Sequence, residues 1–280
     1  MKFLQSHFSL FLLFPLAFAC QKESSAPIEA GNDPNFSIVK NEDGILRDFN
    51  RKVEVFGIPI YAVPSAEDEK LLHVANVMAQ YLDNDEDGEV DNPLVLEAMQ
   101  AQDAFMVMWK RESDLNRIDI ADESVGQDVG ADETQPAWHS NDKTGRFDAS
   151  LEEVLHIITH AGYATAYPDV FGEGVGTSLT DAMDIARAGR FLEVPATYPE
   201  SAWYSYDDTT CDYGCMATEY IYWALTSILG AQVNRADEIG WEWRLHTPEL
   251  VAMQDTAIFE LLTEPVYRFP TVLPDGTYRQ

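Results

Sequence analysis

Cysteine and basic side chains are both scarce in this chain. Its 280 residues include three cysteines, and 18 Lys and Arg residues stand against 48 Asp and Glu, which gives a formal net charge of −30. Phosphate backbones and anionic lipid surfaces repel a protein of this charge, so the composition argues against nucleic-acid binding. It favours divalent cations, cationic substrates or a saline exterior. We expect most of the carboxylates to form a solvated surface.

Long apolar runs are also missing, except near residue 1. The chain opens with Lys2, an apolar run over 8–18, and the small residues Ala17 and Ala19 before Cys20. This run is shorter than the roughly 20 apolar residues that a membrane-spanning helix needs. The pattern is typical of a signal peptide over 1–19, which predicts export from the cytoplasm.

The signal segment resembles that of bacterial lipoproteins, in which the cysteine after the cleavage site carries lipid. Leu16 lies four rather than three residues before Cys20, which departs from the usual lipobox. Because Cys211 and Cys215 can pair in an oxidising compartment, Cys20 is left for lipid. We therefore predict a lipid anchor at Cys20 in the bacterial cell envelope (periplasm or cell surface), followed by a flexible tether over 20–35. A soluble secreted form is the alternative.

The remaining chain is long enough for a sizeable core. β-branched and aromatic residues predict strands within 36–62 and at 105–109, and helical apolar spacing predicts a helix after Ser65, with Pro93 opening the next. We expect a long polar loop over 111–147, a helix over 149–163 and mostly helical segments afterwards. The sequence thus predicts a helix-rich α+β fold, with an N-terminal subdomain at 36–165 and a mostly helical one at 166–280.

A short acidic stretch carries a cation-binding pattern. Carboxylates alternate along it, Gly88 permits a sharp turn at the sixth position, and Val90 can join the core at the eighth. The stretch resembles an EF-hand calcium loop, although Leu94 replaces the bidentate Glu of the twelfth position and Glu97 follows one turn later. The resemblance implies a structural Ca²⁺ site. Its predicted ligands are Asp83, Asp85, Asp87, Glu89 and Asp91.

The helix predicted at 149–163 carries two histidines four residues apart. His156, His160 and the carboxylates of Glu152 and Glu153 fall within an arc of about 100°. Two such imidazoles can reach one metal ion, and the segment resembles the active-site helix of zincin metallopeptidases. That resemblance implies Zn²⁺ on His156 and His160, and a small mixed sheet packed on this helix. Ile157 occupies the family's catalytic Glu position, so Glu152 or Glu153 becomes the candidate catalytic base. A solvated helix face without metal is the alternative.

A third ligand is expected downstream. Glu219 is the lone acidic side chain in an otherwise apolar helical segment, where an unpaired carboxylate is unfavourable. Its position is compatible with the zincins that use a Glu ligand, so we predict His156, His160 and Glu219 on zinc. A hydrogen bond to a Tyr, or an ion pair with Arg187 or Arg190, would explain Glu219 equally well.

Two functions are therefore expected from different classes. The first is an exported, lipid-anchored, zinc-dependent hydrolase of the peptidase type, acting on a peptide or small molecule and stabilised by Ca²⁺. The second is a non-catalytic calcium-binding lipoprotein that binds a ligand or partner through its aromatic and acidic surface. Both predict contact with a lipid membrane through Cys20, and neither involves nucleic acid.

Overall fold

The structure is a computed structural model that describes residues 33–43, 46, 48–117 and 125–280. Cys20, the predicted signal peptide and most of the predicted tether lie outside the described residues. Among the helices of the described part, none is both long and apolar enough to cross a membrane.

The described residues form an α+β fold built on a five-stranded mixed sheet, in the strand order β1-β2-β3-β4-β5. The first three strands pair antiparallel, whereas β3, β4 and β5 run parallel. Phe56 and Gly57 connect β2 to β3, and both have positive φ, as a two-residue hairpin requires. The strands are β1 (Val39–Lys40), β2 (Arg51–Val55), β3 (Ile58–Ala62), β4 (Phe105–Trp109) and β5 (Gly126–Gly130).

Two helices connect β3 to β4. They are α1 (Asp68–Leu82) and α2 (Pro93–Ala101), with the acidic stretch between them. Residues 71–82 of α1 are all buried, because its apolar stripe packs on β2, β3 and a later helix. The predicted strand at 105–109 is confirmed as β4.

The polar segment 111–147 contains more regular structure than the sequence predicted. It includes a 3₁₀-helix (Glu112–Arg117), the strand β5 and the short helix α3 (Pro136–Ser140). A Cβ atom on Gly126 would lie 2.5 Å from the Phe105 ring, and one on Gly130 would lie 2.8 Å from the Trp109 ring. These glycines therefore allow β5 to pack closely beside the large rings of β4.

The central helix is α4 (Ser150–Ile157), which continues as a π-helix (Ile158–Tyr163). It contacts β4, β5, α1 and α8, so it lies between the sheet and the helical half of the chain. One cluster of buried apolar residues includes members on both sides of position 165, where the sequence analysis placed a subdomain boundary. The remaining elements are α5 (Ala164–Ala166), α6 (Pro168–Phe171), α7 (Ser178–Ala186), α8 (Tyr213–Ile228), α9 (Ala236–Ile239), α10 (Pro248–Gln254), α11 (Thr256–Thr263) and a 3₁₀-helix (Pro265–Tyr267).

Candidate metal centres

The helix α4 carries the first candidate centre because its apolar side is fixed on the sheet. Leu151, Val154 and Leu155 are buried, each 1% exposed or less. The polar residues between them consequently face α8, where Glu219 lies two turns inside the helix. The packing of α4 on α8 thus brings together carboxylates and an imidazole that are more than sixty positions apart.

His156 lies at the middle of this group. Its Nε2 is 3.6 Å from Glu219 Oε2, and its Nδ1 is 3.6 Å from Glu153 Oε2. The residue is 6% exposed, and its buried Nε2 has no hydrogen-bond partner. One ligand atom each from Glu152, His156 and Glu219 lie within 4.8 Å of one another. We call these three residues the α4–α8 centre.

Charges in the α4–α8 centre perturb one another strongly. Burial, reinforced by the charge of Glu219, raises the pKa of Glu152 to about 8. Burial alone would lower the pKa of His156, but the carboxylates of Glu219 and Glu153 outweigh it and hold that pKa well above its usual value. Burial also raises the pKa of Glu242 to about 7, with Glu219 contributing. Without an ion, the imidazolium of His156 is the positive charge among these carboxylates, and a metal ion would have to displace its proton.

Neighbouring side chains orient the carboxylates. Tyr206 donates its hydroxyl to Glu219 Oε1 over 3.1 Å, and Gln127 donates Nε2 to Glu153 Oε2 over 2.6 Å. The edge of the Tyr222 ring packs against His156, with 5.6 Å between centroids. The sequence indicated the Glu219 contact to a tyrosine as one alternative. The structure combines that contact with the His156 contact.

His160 does not belong to the α4–α8 centre. Its Nδ1 lies 2.8 Å from both carboxylate oxygens of Glu173, and half of its side chain is exposed. Thr218 donates its hydroxyl to the same Glu173 over 3.0 Å. The helix changes to π-helical geometry at Ile158, and the wider turn rotates residue 160 away from the face that an α-helix would give it. The predicted pair of imidazoles on one ion is therefore replaced by one imidazole and two carboxylates.

A cleft of ≈ 440 Å³ opens beside α4. Glu152 and Glu153 line it, so solvent and small molecules can reach the edge of the α4–α8 centre. Arg146 is the one basic residue among the described residues that line it. The other lining residues are Glu133, Gly145, Phe147, Ala149 and Glu238.

The acidic stretch between α1 and α2 curls as a cation-binding loop does. Carboxylate oxygens of Asp83, Asp85 and Asp87 lie within 4.8 Å of one another. The fully buried carboxylate of Asp83 accepts the backbone N–H of Gly88 over 2.8 Å, and Gly88 has a φ of 92°. This bond folds the loop back on its first residue.

The second half of the loop is less complete. Asp91 accepts the backbone N–H of Asn84 over 2.8 Å, and burial raises its pKa together with the charges of Asp85 and Asp83. Leu94 at the twelfth position is 53% exposed, and Glu97 is also exposed. Among the described residues, Glu89 is not part of the group formed by Asp83, Asp85 and Asp87.

The segment 275–279 closes over this loop. Tyr278 donates its hydroxyl to Asp83, and the backbone N–H of Arg279 donates to Glu86. Gln80 of α1 binds both Glu86 and Asp275 through its side-chain amide. The loop is thus bonded to the segment 275–279 nearly two hundred positions later.

A third polar group is buried in the structure, and no local sequence pattern predicted it. His73 of α1, His139 of α3 and Asp148 before α4 place ligand atoms within 4.8 Å of one another. His73 lies inside the apolar stripe of α1, where the pattern predicts core packing, and His139 lies in the segment interpreted as a loop. Only the folding of three separate elements brings them together, so no local motif marks the group.

The predicted disulfide is confirmed. Cys211 and Cys215 are bonded, with 5.4 Å between their Cα atoms. Asp212 between them caps α8 by accepting the backbone N–H of Cys215 over 2.9 Å. The bridge therefore stabilises the start of the helix that carries Glu219.

Comparison of the chain with protein-family models, with curated proteins and with solved structures gives no match.

Proposed function

We propose that this chain is a metal-dependent hydrolase that holds a divalent zinc-class ion in the α4–α8 centre. One observation carries the proposal: His156 Nε2 is buried, has no hydrogen-bond partner and lies 3.6 Å from Glu219 Oε2. A buried polar atom without a partner is unfavourable by about 1–3 kcal/mol, so native structures rarely keep one without a purpose. A bound cation would satisfy this nitrogen and neutralise the surrounding carboxylates.

The donors fit such an ion. Zinc accepts imidazole nitrogen and carboxylate oxygen at roughly 2.0–2.2 Å, which separates neighbouring ligand atoms in a tetrahedron by about 3.3–3.6 Å. The 3.6 Å between His156 Nε2 and Glu219 Oε2 matches that separation and exceeds a hydrogen bond. Three protein ligands leave a fourth position for water or substrate. A zinc ion held by these three ligands would polarise the carbonyl group of a substrate and lower the pKa of a water molecule in the fourth position.

The two candidate catalytic carboxylates take different parts in this proposal. Glu152 belongs to the ligand group, whereas Glu153 faces His156 Nδ1 on the opposite side of the ring. At 3.6 Å this carboxylate is beyond hydrogen-bond distance, but its negative charge favours a proton on Nδ1, which leaves Nε2 free to bind metal. Glu153 is therefore a positioning residue, and substrate reaches the centre through the cleft that both glutamates line.

The expected likeness to zincins receives mixed support. A mixed sheet packed on the histidine-bearing helix agrees with it. The exposed contact of His160 with Glu173 and the burial of Ile157, 1% exposed, argue against the peptidase arrangement. These two observations favour the second candidate, a non-catalytic calcium-binding lipoprotein that binds a ligand or partner.

The proposal also includes a structural Ca²⁺ ion and a lipid-anchored location in the cell envelope. The curled acidic loop and its bond from Gly88 to Asp83 support a structural Ca²⁺ ion, with the oxygen-only donors that this ion prefers. Export and lipid anchoring rest on the signal segment and Cys20 alone.

Metal analysis with matched variants tests the zinc centre. After dialysis against Zn²⁺, the His156→Ala variant should contain one equivalent of zinc less than the unmodified protein. The His160→Ala variant should contain as much zinc as the unmodified protein. Activity against a peptide library and against ester substrates should disappear with the same variant. Equal metal content in both variants would refute the centre, and full metal with no hydrolysis would favour the non-catalytic candidate.

A further inference from the structure

The buried group His73, His139 and Asp148 lies apart from the residues of the proposed function. His73 Nε2 is 2.7 Å from Asp148 Oδ2, and His139 Nε2 is 2.8 Å from the same oxygen. Asp148 is fully buried, and the two histidine side chains are 5% and 8% exposed. The rings tilt at 53° with centroids 5.3 Å apart, so their Nε2 atoms converge on one point.

The carboxylate of Asp148 is held rigidly. Its Oδ1 accepts the backbone N–H of Gln135 over 2.7 Å and that of Ser150 over 3.4 Å. These bonds direct Oδ2 toward the two imidazoles. Carboxylates that ligate metals are commonly fixed by such outer hydrogen bonds.

The ring of His73 is also held in place. The segment 275–279 passes against it so closely that a Cβ atom on Gly276 would lie 2.0 Å from His73 Nδ1. The backbone N–H of Gly276 donates to Gln80 Oε1 over 2.8 Å, which fixes the segment on α1. His139 lies on a five-residue helix and is the most exposed member of the group, so it marks the side from which an ion can approach.

Polar atoms crowd around Asp148 Oδ2. Three groups lie at bonding distance from this one oxygen: the two imidazole nitrogens and the hydroxyl of Ser150, at 2.6 Å. A carboxylate oxygen has two lone pairs, so at least two of these contacts share one lone pair when all three groups donate. If a cation binds one lone pair together with both Nε2 atoms, the other lone pair remains for Ser150.

The ligand chemistry selects the class of ion. Two imidazole nitrogens and one carboxylate oxygen suit zinc and its first-row neighbours rather than Ca²⁺ or Mg²⁺. On binding, a neutral ring moves its proton from Nε2 to Nδ1, and a charged ring releases its Nε2 proton to solvent. The ligand atoms must separate by about 0.5 Å to reach zinc spacing, a movement that the short helix α3 can supply.

We propose that His73, His139 and Asp148 form a second, structural site for a zinc-class ion, which links α1, α3 and the start of α4. The site uses no residue of the α4–α8 centre and takes no part in the proposed hydrolysis. It lies where residues 125–147 meet α1 and α4, so the ion would link those residues to the rest of the fold.

The test separates this site from the α4–α8 centre by working in the His156→Ala background. In saturating Ca²⁺, a calorimetric Zn²⁺ titration of this variant should show one equivalent. Adding His139→Gln should remove that equivalent or weaken it at least about a hundredfold, whereas adding His246→Gln, a matched change outside the group, should leave it. Circular dichroism and the melting temperature of each metal-free variant establish that it is folded.

A second measurement needs no substitution. In the unmodified chain, Zn²⁺ should shift the ring NMR signals of His73 and His139 while leaving that of His246 in place. The proposal is overturned if the His156→Ala protein binds no zinc, if His139→Gln leaves the titration unchanged, or if those ring signals do not move. Loss of metal in His139→Gln with none lost in His156→Ala would sustain this site and refute the α4–α8 centre.

Discussion

His156 and Glu219 face each other across the contact of α4 with α8, with 3.6 Å between Nε2 and Oε2. This relationship dominates the electrostatics of the centre, because Glu219 is the strongest of the charges that raise the pKa of His156 and is also the leading charge that raises that of Glu152. Substitution of Glu219 should therefore change the pKa values of both His156 and Glu152.

Glu219→Gln should lower the pKa of His156 in the metal-free protein. The amide keeps the size of the side chain but removes the negative charge that stabilises the imidazolium. NMR titration of the His156 ring in excess chelator measures the shift. Glu173→Gln is the matched control, since Glu173 contacts His160 instead, and it should lower the pKa of His160 while leaving His156 unchanged. Equal responses of His156 to both variants would contradict the assignment.

The His160–Glu173 pair should stabilise the fold only at lower pH. The hydrogen bond and charge of Glu173 raise the pKa of His160 above 6.5. Stability from this pair is therefore complete below the unfolded value, near pH 6.5, and disappears as the pH rises through the folded pKa. Because half of the His160 side chain is exposed, the contribution should stay under about 1 kcal/mol.

Urea unfolding of wild type and His160→Gln, at pH 5.5 and pH 9 on either side of the histidine range of about 6–8, measures this effect. The difference in unfolding free energy between the two proteins should be larger at the acidic pH. A difference that grows toward alkaline pH would have the wrong sign. In a Glu173→Gln background the pH dependence should vanish.

Calcium should stabilise the protein through Asp83. An ion present at 100 times its Kd adds about 2.7 kcal/mol, which raises the Tm of a domain of this size by roughly 5–10 °C. Asp83→Asn should abolish the rise, because this buried residue anchors both the loop and its bond to Gly88. Glu97→Gln, an exposed change just beyond the loop, should leave it intact. Scanning calorimetry with and without chelator provides the measurement.

Gly276→Ala should destabilise the chain by about 1–3 kcal/mol, the usual result of forcing a methyl group into a filled space. The new methyl would overlap the ring of His73, and Gly276 has a φ of 77°. Gly174→Ala is the control, because a methyl group on Gly174 would meet no atom within 4 Å, and it should change stability by less than about 0.5 kcal/mol. If Gly276→Ala and the unmodified protein unfold at the same urea concentration, the segment 275–279 moves aside to accommodate the methyl group and the prediction is wrong.

The sequence predicted those strands and helices whose own residues show a clear apolar pattern. The strand at 105–109 consists of five apolar residues, and the helix at α1 shows a continuous apolar stripe, so both were identified from sequence. β5 was not predicted, because it begins and ends with glycine, which has a low strand propensity. Glycine is needed there because a side chain would overlap the large rings of β4.

The site residues also divide into those that a local sequence pattern predicts and those that only the fold brings together. Glu219 was predicted from its isolation in an apolar helix, and the structure places it beside His156. The spacing of His156 and His160 predicted one shared face, but that inference assumes 3.6 residues per turn, and the chain becomes π-helical between them. His73, His139 and Asp148 belong to three elements, and a sequence contains no signal for their meeting until the fold is known.

The segment 275–279 runs along the second half of α1. Gly276 packs on His73 inside the helix, and Tyr278 bonds to Asp83 in the acidic loop that follows it. The proposed zinc ion at His73 and the proposed calcium ion at Asp83 would therefore both lie against the same short segment. Any change that one ion makes in the affinity for the other would then be reciprocal, by the same factor.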